Sequence, residues 1–171
     1  MRHKLSLLQI SLIGSVLMLT GLPSAQAGCV ESMLSLANQH RQTHRQTALV
    51  LSKQLTQVAQ RQAEKMAWSD DLSGDLPSDE IEATGYGKSR LGLIAAAGHR
   101  SPAQVIRYWM SSQSRDDILD ENYTDVGIGC AFDPSSSYQY YWVMIFGGGQ
   151  SQAGHTETRR EITTQGRRIW L

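Results

Sequence analysis

The run from Tyr138 to Phe146 constrains this chain more than any other segment. Tyr138, Tyr140, Trp142, Met144 and Phe146 fall on one side of an extended backbone, and Tyr141, Val143 and Ile145 on the other. A strand apolar on both faces has to be central in its sheet and covered on both sides. Just upstream, Val126, Ile128, Cys130 and Phe132 alternate with smaller or polar residues, the pattern of a strand with one face in a core. Asp133-Pro134-Ser135-Ser136-Ser137 between them is turn chemistry.

Helices are available as the cover. Val30, Met33, Leu34 and Ala37 mark one face of a first helix over about Cys29–Arg45. Leu51, Leu55, Val58, Ala59, Ala63 and Met66 recur at helical spacing, with Lys53, Gln57, Arg61 and Glu64 facing outward. Residues 69–92 lose periodicity and read as a long loop, with one short helical turn at Asp79–Ala83. Ser101-Pro102-Ala103-Gln104 starts a further helix: Ser at the N-cap, Pro at the first position, Gln three residues after the cap. The pattern predicts an α/β fold, a three-layer αβα sandwich.

The first 27 residues read as a signal peptide. Arg2, His3 and Lys4 precede the uncharged run Leu5–Leu22, and Ala25-Gln26-Ala27 is a small-x-small cleavage pattern. A retained membrane anchor is the competing reading. Removing 27 of the 171 residues leaves 144, one domain by size. With Arg2 and Lys4 in the leader, fourteen of the 16 basic side chains face 16 acidic ones. A net charge near −2 gives no electrostatic case for nucleic acid. Export to the periplasm or beyond also favours a Cys29–Cys130 disulfide over two buried thiols, these being the two cysteines of the sequence.

The domain is expected over residues 28–147. Gly147-Gly148-Gly149 opens a polar, Arg-containing stretch, so 148–171 reads as a flexible tail. A docking role for its end, Ile169-Trp170-Leu171, is the alternative.

Several pieces together resemble the bacterial type of CAP domain, the superfamily of cysteine-rich secretory proteins, antigen 5 and plant pathogenesis-related proteins. They are Asn38-Gln39-His40-Arg41, the helix Leu51–Ala67, Ala83-Thr84-Gly85-Tyr86, Pro102–Met110, and Ile118–Gly129 followed by Tyr140–Gly147. The resemblance covers about Cys29–Gly147 and implies the same αβα sandwich.

It also implies a cavity, which in the family usually carries two His and acidic residues able to hold a divalent metal. Here those positions are altered. Gly74 stands for the first His, Gly92 for the Glu in Leu91-Gly92-Leu93-Ile94-Ala95, Ser114 for the second His before Arg115, and Ser112 for a further acid. Glu80 and His99 are the nearest substitutes. The expectation is a degenerate cavity with no metal and no cofactor.

Other chemistry is sparse. His40 and His44 are four apart on a helix and read as an exposed pair lacking a third ligand. His99, before a helix start, closes a loop or contacts a ligand. Asp116, Asp117, Asp120 and Glu121 read as capping or solvated acids. The chain is therefore read as an exported, non-catalytic binding module for a small apolar or neutral ligand, or for an envelope or host protein. The enzyme alternative is a peptidase-like hydrolase using Ser114 or Ser73 with His99.

Overall fold

The computed structural model describes residues 25–72 and 74–151. The expected leader up to Ser24, and the expected tail from Gln152 onward, lie outside the described residues. The elements in chain order are α1 (Ala25–Thr43), β1 (Val50–Leu51), α2 (Lys53–Ser69), α3 (Ser78–Ala83), β2 (Lys88–Ala97), α4 (Pro102–Met110), α5 (Ser114–Leu119), β3 (Tyr123–Phe132) and β4 (Tyr140–Ser151). The sheet order is β1-β3-β4-β2. The short β1 is parallel to β3, whereas β4 is antiparallel to both its neighbours.

The two-faced strand is central, as its pattern requires. Trp142, Met144 and Phe146 enter one core with Val30, Met33 and Ala37 of α1 and with Val105, Ile106 and Trp109 of α4. Tyr141, Val143 and Ile145 enter a second core with Leu55, Val58, Ala59, Ala63 and Met66 of α2. The result is the αβα sandwich, with α1, α4 and α5 on one face and α2 and α3 on the other.

Val126-Gly127-Ile128-Gly129 shows why alternation matters here. Val126 and Ile128 fill the α1–α4 core, while the glycines face α2. A Cβ at Gly127 would lie 2.1 Å from the Leu55 carbonyl carbon, and one at Gly129 would lie 2.1 Å from the Ala59 oxygen. The missing side chains let the helix backbone rest directly on the sheet.

Local caps follow the sequence. Ser52 and Ser101 accept at their side-chain oxygens from the Leu55 and Gln104 N–H groups, each at 3.3 Å. Gln104 returns a bond to the Arg100 N–H at 2.8 Å, one residue before the cap.

Asn38 and Arg41 of the first helix are structural. Asn38 exchanges two hydrogen bonds with the Leu49 backbone, at 2.8 and 3.0 Å. Arg41 is fully buried and donates to the carbonyls of Thr47, Ile118, Asp120 and Tyr123 at 2.7, 2.8, 2.9 and 3.1 Å. One guanidinium thus ties α1, the end of α5 and the start of β3.

Four boundaries differ from the sequence reading. Leu51, placed by its spacing on the apolar face of the second helix, lies instead in β1 and is exposed, and α2 begins at Lys53. β2 begins at Lys88, inside the stretch assigned to loop; its Gly and Ala residues hide the strand, and pairing with β4 supplies what propensity lacks. The first helix starts at Ala25, so the expected cleavage position lies in its first turn. β4 continues past Gly147 to Ser151, because Gly147 and Gly148 pair with both β2 and β3. The Cys29–Cys130 disulfide is present, joining α1 to the end of β3 across a sequence separation of 101.

Candidate functional site

The altered positions do not converge on one cavity. Gly92 has the same parity on β2 as Ile94 and Ala96, which belong to the α1–α4 core. Its place is taken: a Cβ there would come within 2.3 Å of the Tyr123 hydroxyl oxygen. Tyr123 is buried, stacks on Phe146 at 5.2 Å between centroids, and donates to the Leu91 carbonyl at 3.3 Å. Gly74 lies on the other side of the sheet, where a Cβ would touch Met66 of the α2 core. It lines an open polar depression of about 500 Å³ with Asp75, Asp79 and Glu80. The Glu80 carboxylate is already paired with Arg61 at 3.1 Å, both half-exposed.

Ser112 and Ser114 belong to the turn between α4 and α5. Ser112 donates to the Trp109 carbonyl at 3.0 Å and so caps the end of α4, while Ser114 is the first residue of α5. Neither is hydrogen-bonded to His99. That residue follows β2 at the end away from Gly92, more than about 15 Å along the strand. Its ring packs on Tyr108 at 4.8 Å, and its carbonyl accepts from the Trp142 indole at 2.7 Å. Ser73 lies outside the described residues.

Around the filled position stands a polar cluster that spacing did not reveal. Arg90 lies 5.2 Å from the Tyr123 ring centroid and pairs with Asp120 at 2.5 Å. Burial pushes the Asp120 carboxyl up, but the Asn122 N–H and the Arg90 guanidinium outweigh it and hold it low. Asp117 is pushed up by burial and by the nearby Asp120 and Asp116. These acids are far from Arg90 in sequence, and only the packing of α5 near β2 brings them together. On the α2 side of the sheet, Asp125 accepts from Tyr86 at 2.8 Å and pairs with Lys88 at 2.9 Å.

Both ring nitrogens of His44 are engaged. Nδ1 donates to the His40 carbonyl at 2.8 Å, which leaves Nε2 to accept from Arg115 at 3.1 Å. Among the described residues, no three His, Cys, Asp or Glu side chains are placed to hold a metal ion.

The apolar concavity lies elsewhere. A groove of about 490 Å³ runs between the start of α1, the start of α4, the end of β3 and the start of β4. Phe132, Tyr140, Trp142 and Pro102 line it, and the Cys29–Cys130 bridge forms part of its wall. The Trp142 N–H is already spent on His99. Ser32 supplies the one remaining hydroxyl of a non-aromatic side chain.

The family model described as the cysteine-rich secretory protein family (CAP) matches residues 34–146. The chain belongs to the CAP family. It is 25% identical over 116 residues to the uncharacterized protein YkwD of Bacillus subtilis (strain 168), a match covering 64% of this chain and 45% of that protein. This CAP domain therefore spans under half the length of the curated relative it matches.

Two solved structures share the fold. An extracellular protein containing an SCP domain from Bacillus anthracis str. Ames superposes with a TM-score of 0.63 at 22% identity, over 72% of this chain and 41% of that one. An outer surface protein of Borrelia burgdorferi gives 0.62 at 19% identity, over 70% of this chain and 94% of that one. No helix among the described residues is long and apolar enough to cross a membrane.

Proposed function

We propose that this CAP domain is an exported, non-catalytic binding module whose ligand is a small neutral apolar molecule. The groove beside the disulfide carries the reading. Its volume falls in the usual range for small-ligand sites, and its walls are aromatic and aliphatic with few free polar groups. An ionised ligand would lose hydration there without gaining partners. The degenerate positions named from the sequence are not the binding surface in this reading, because Tyr123 fills the space at Gly92.

Native mass spectrometry of the protein from its own exported fraction tests this, with and without chelator. A co-purifying apolar mass should be retained by the parent and lost from Phe132→Asp. A stoichiometric metal removed by chelator, or an apolar mass held equally by Phe132→Asp, would overturn it.

A further inference from the structure

Most of the large apolar side chains exposed among the described residues gather at one end of the sandwich. Trp68 is 87% exposed near the C-terminus of α2, Phe132 57% at the end of β3, Tyr138 48% in the β3–β4 turn, and Tyr108 49% against His99. Leu72 follows in the loop leaving α2. Independent contacts fix this common location. Asp70, two residues beyond Trp68, accepts from the Ser137 N–H at 3.0 Å, next to Tyr138. The Gly98 Cβ position is 3.8 Å from the Tyr138 ring, which brings in the loop after β2. Val50 and Leu51, also exposed, are at the opposite end, where β1 meets the start of β3.

Scattered exposed apolar residues need no explanation, but clustered aromatics do. Trp and Tyr with an apolar body and a polar tip concentrate where a bilayer meets water. The chain itself points to the same occupant. The uncharged run Leu5–Leu22 is separated from α1 by only Pro23 and Ser24, and α1 begins at this end, where Gly28 and Cys29 line the groove. The run read from the sequence as an export leader thus enters the domain beside the aromatic rim. Two nearby carboxylates accept from hydroxyls, Asp70 from Ser137 of the turn and Tyr141 of β4, and Asp133 from Ser135. Asp70, Asp71 and Asp133 are matched in number by Lys65, Arg100 and Arg107 on the same elements, so no cationic excess draws anionic headgroups to this end.

We propose that this end, with Trp68, Phe132 and Tyr138 as its anchors, is a membrane-docking surface for the interfacial layer of a zwitterionic bilayer. The proposal does not depend on the groove holding a ligand.

The test is co-sedimentation of the protein, as exported by its own cell, with phosphatidylcholine vesicles. Trp68→Ser, Phe132→Ser and Tyr138→Ser together should lower the bound fraction about tenfold, while Leu51→Ser at the opposite end leaves it unchanged. Trp68→Ser alone removes no buried contact, so it keeps the fold. It should still weaken binding and reduce the quenching of tryptophan emission by brominated lipid chains. No sedimentation of the parent, or equal binding by the triple variant, would overturn the proposal. So would a dimer that these substitutions convert to monomer, since a second copy would then be the occupant. Vesicle binding by a protein carrying no apolar ligand would remove the ligand reading and leave this surface standing.

Discussion

Tyr123 occupies the space that the absent side chain of Gly92 leaves on β2, with its hydroxyl oxygen 2.3 Å from where a Cβ would stand. A position that the family resemblance marks as part of a cavity is here a packing site. Gly92→Ala should therefore destabilise the domain by about 1–3 kcal/mol, through overpacking against a ring that is itself stacked on Phe146. Urea unfolding would measure it. Gly92→Ala added to Tyr123→Leu should cost less than the two separately, and strict additivity would mean that the two residues do not share this space.

Arg41 should be among the least replaceable residues. Arg41→Met leaves four carbonyls facing a side chain that donates nothing. A loss of about 3–5 kcal/mol is expected, as for other broken buried polar sets. A thermal midpoint within a degree or two of the parent would contradict this account of the Asn38–Arg41 motif.

Gly129→Ala places a methyl against the Ala59 carbonyl of α2, where the obstacle is backbone and cannot rotate away. The helix must lift from the sheet, so the cost should reach or pass the upper end of the overpacking range, about 3 kcal/mol, above that of Gly92→Ala. Comparing the two variants under one set of conditions gives the ranking.

Removing the bridge by Cys29→Ser and Cys130→Ser together should lower stability by up to about 4–5 kcal/mol, the chain-entropy figure for a loop near 100 residues. The same variant should loosen the groove wall. Its apolar ligand, if bound, should be released more readily than from the parent in native mass spectra.

Asp70 and Asp117 should respond to acid in opposite senses. Hydrogen bonds from Ser137 and Tyr141 hold the Asp70 carboxyl below its ordinary value. Its contribution is present above the unfolded value near pH 4 and is lost as pH falls through the folded one. Asp70→Asn should therefore destabilise at neutral pH and differ less from the parent in acid. Burial, with Asp120 and Asp116 nearby, holds Asp117 above its ordinary value, so its charge disfavours the folded state at neutral pH. Asp117→Asn should stabilise there, and the gain should fade in acid. Unfolding midpoints across the acid range would separate the two behaviours.

What the sequence determined by itself was periodicity and local chemistry. Two apolar faces on one strand demanded a central position, Ser101 set a helix start, and the order of the motifs carried the family. These features are written in neighbours a few residues apart, where side-chain direction follows from backbone geometry alone. Tertiary structure decided the rest. β2 was obscured because Gly and Ala have little preference for a strand, and its pairing with β4 joins residues 44 to 63 positions apart, from Ala97 with Tyr141 to Lys88 with Ser151. Gly74 and Gly92, grouped by resemblance, abut opposite cores. The cluster of Arg90, Asp117, Asp120 and Tyr123, the groove beside the disulfide, and the aromatic end each join residues from separate elements. Such contacts depend on which faces pack and at what depth, and no spacing along one chain encodes that directly.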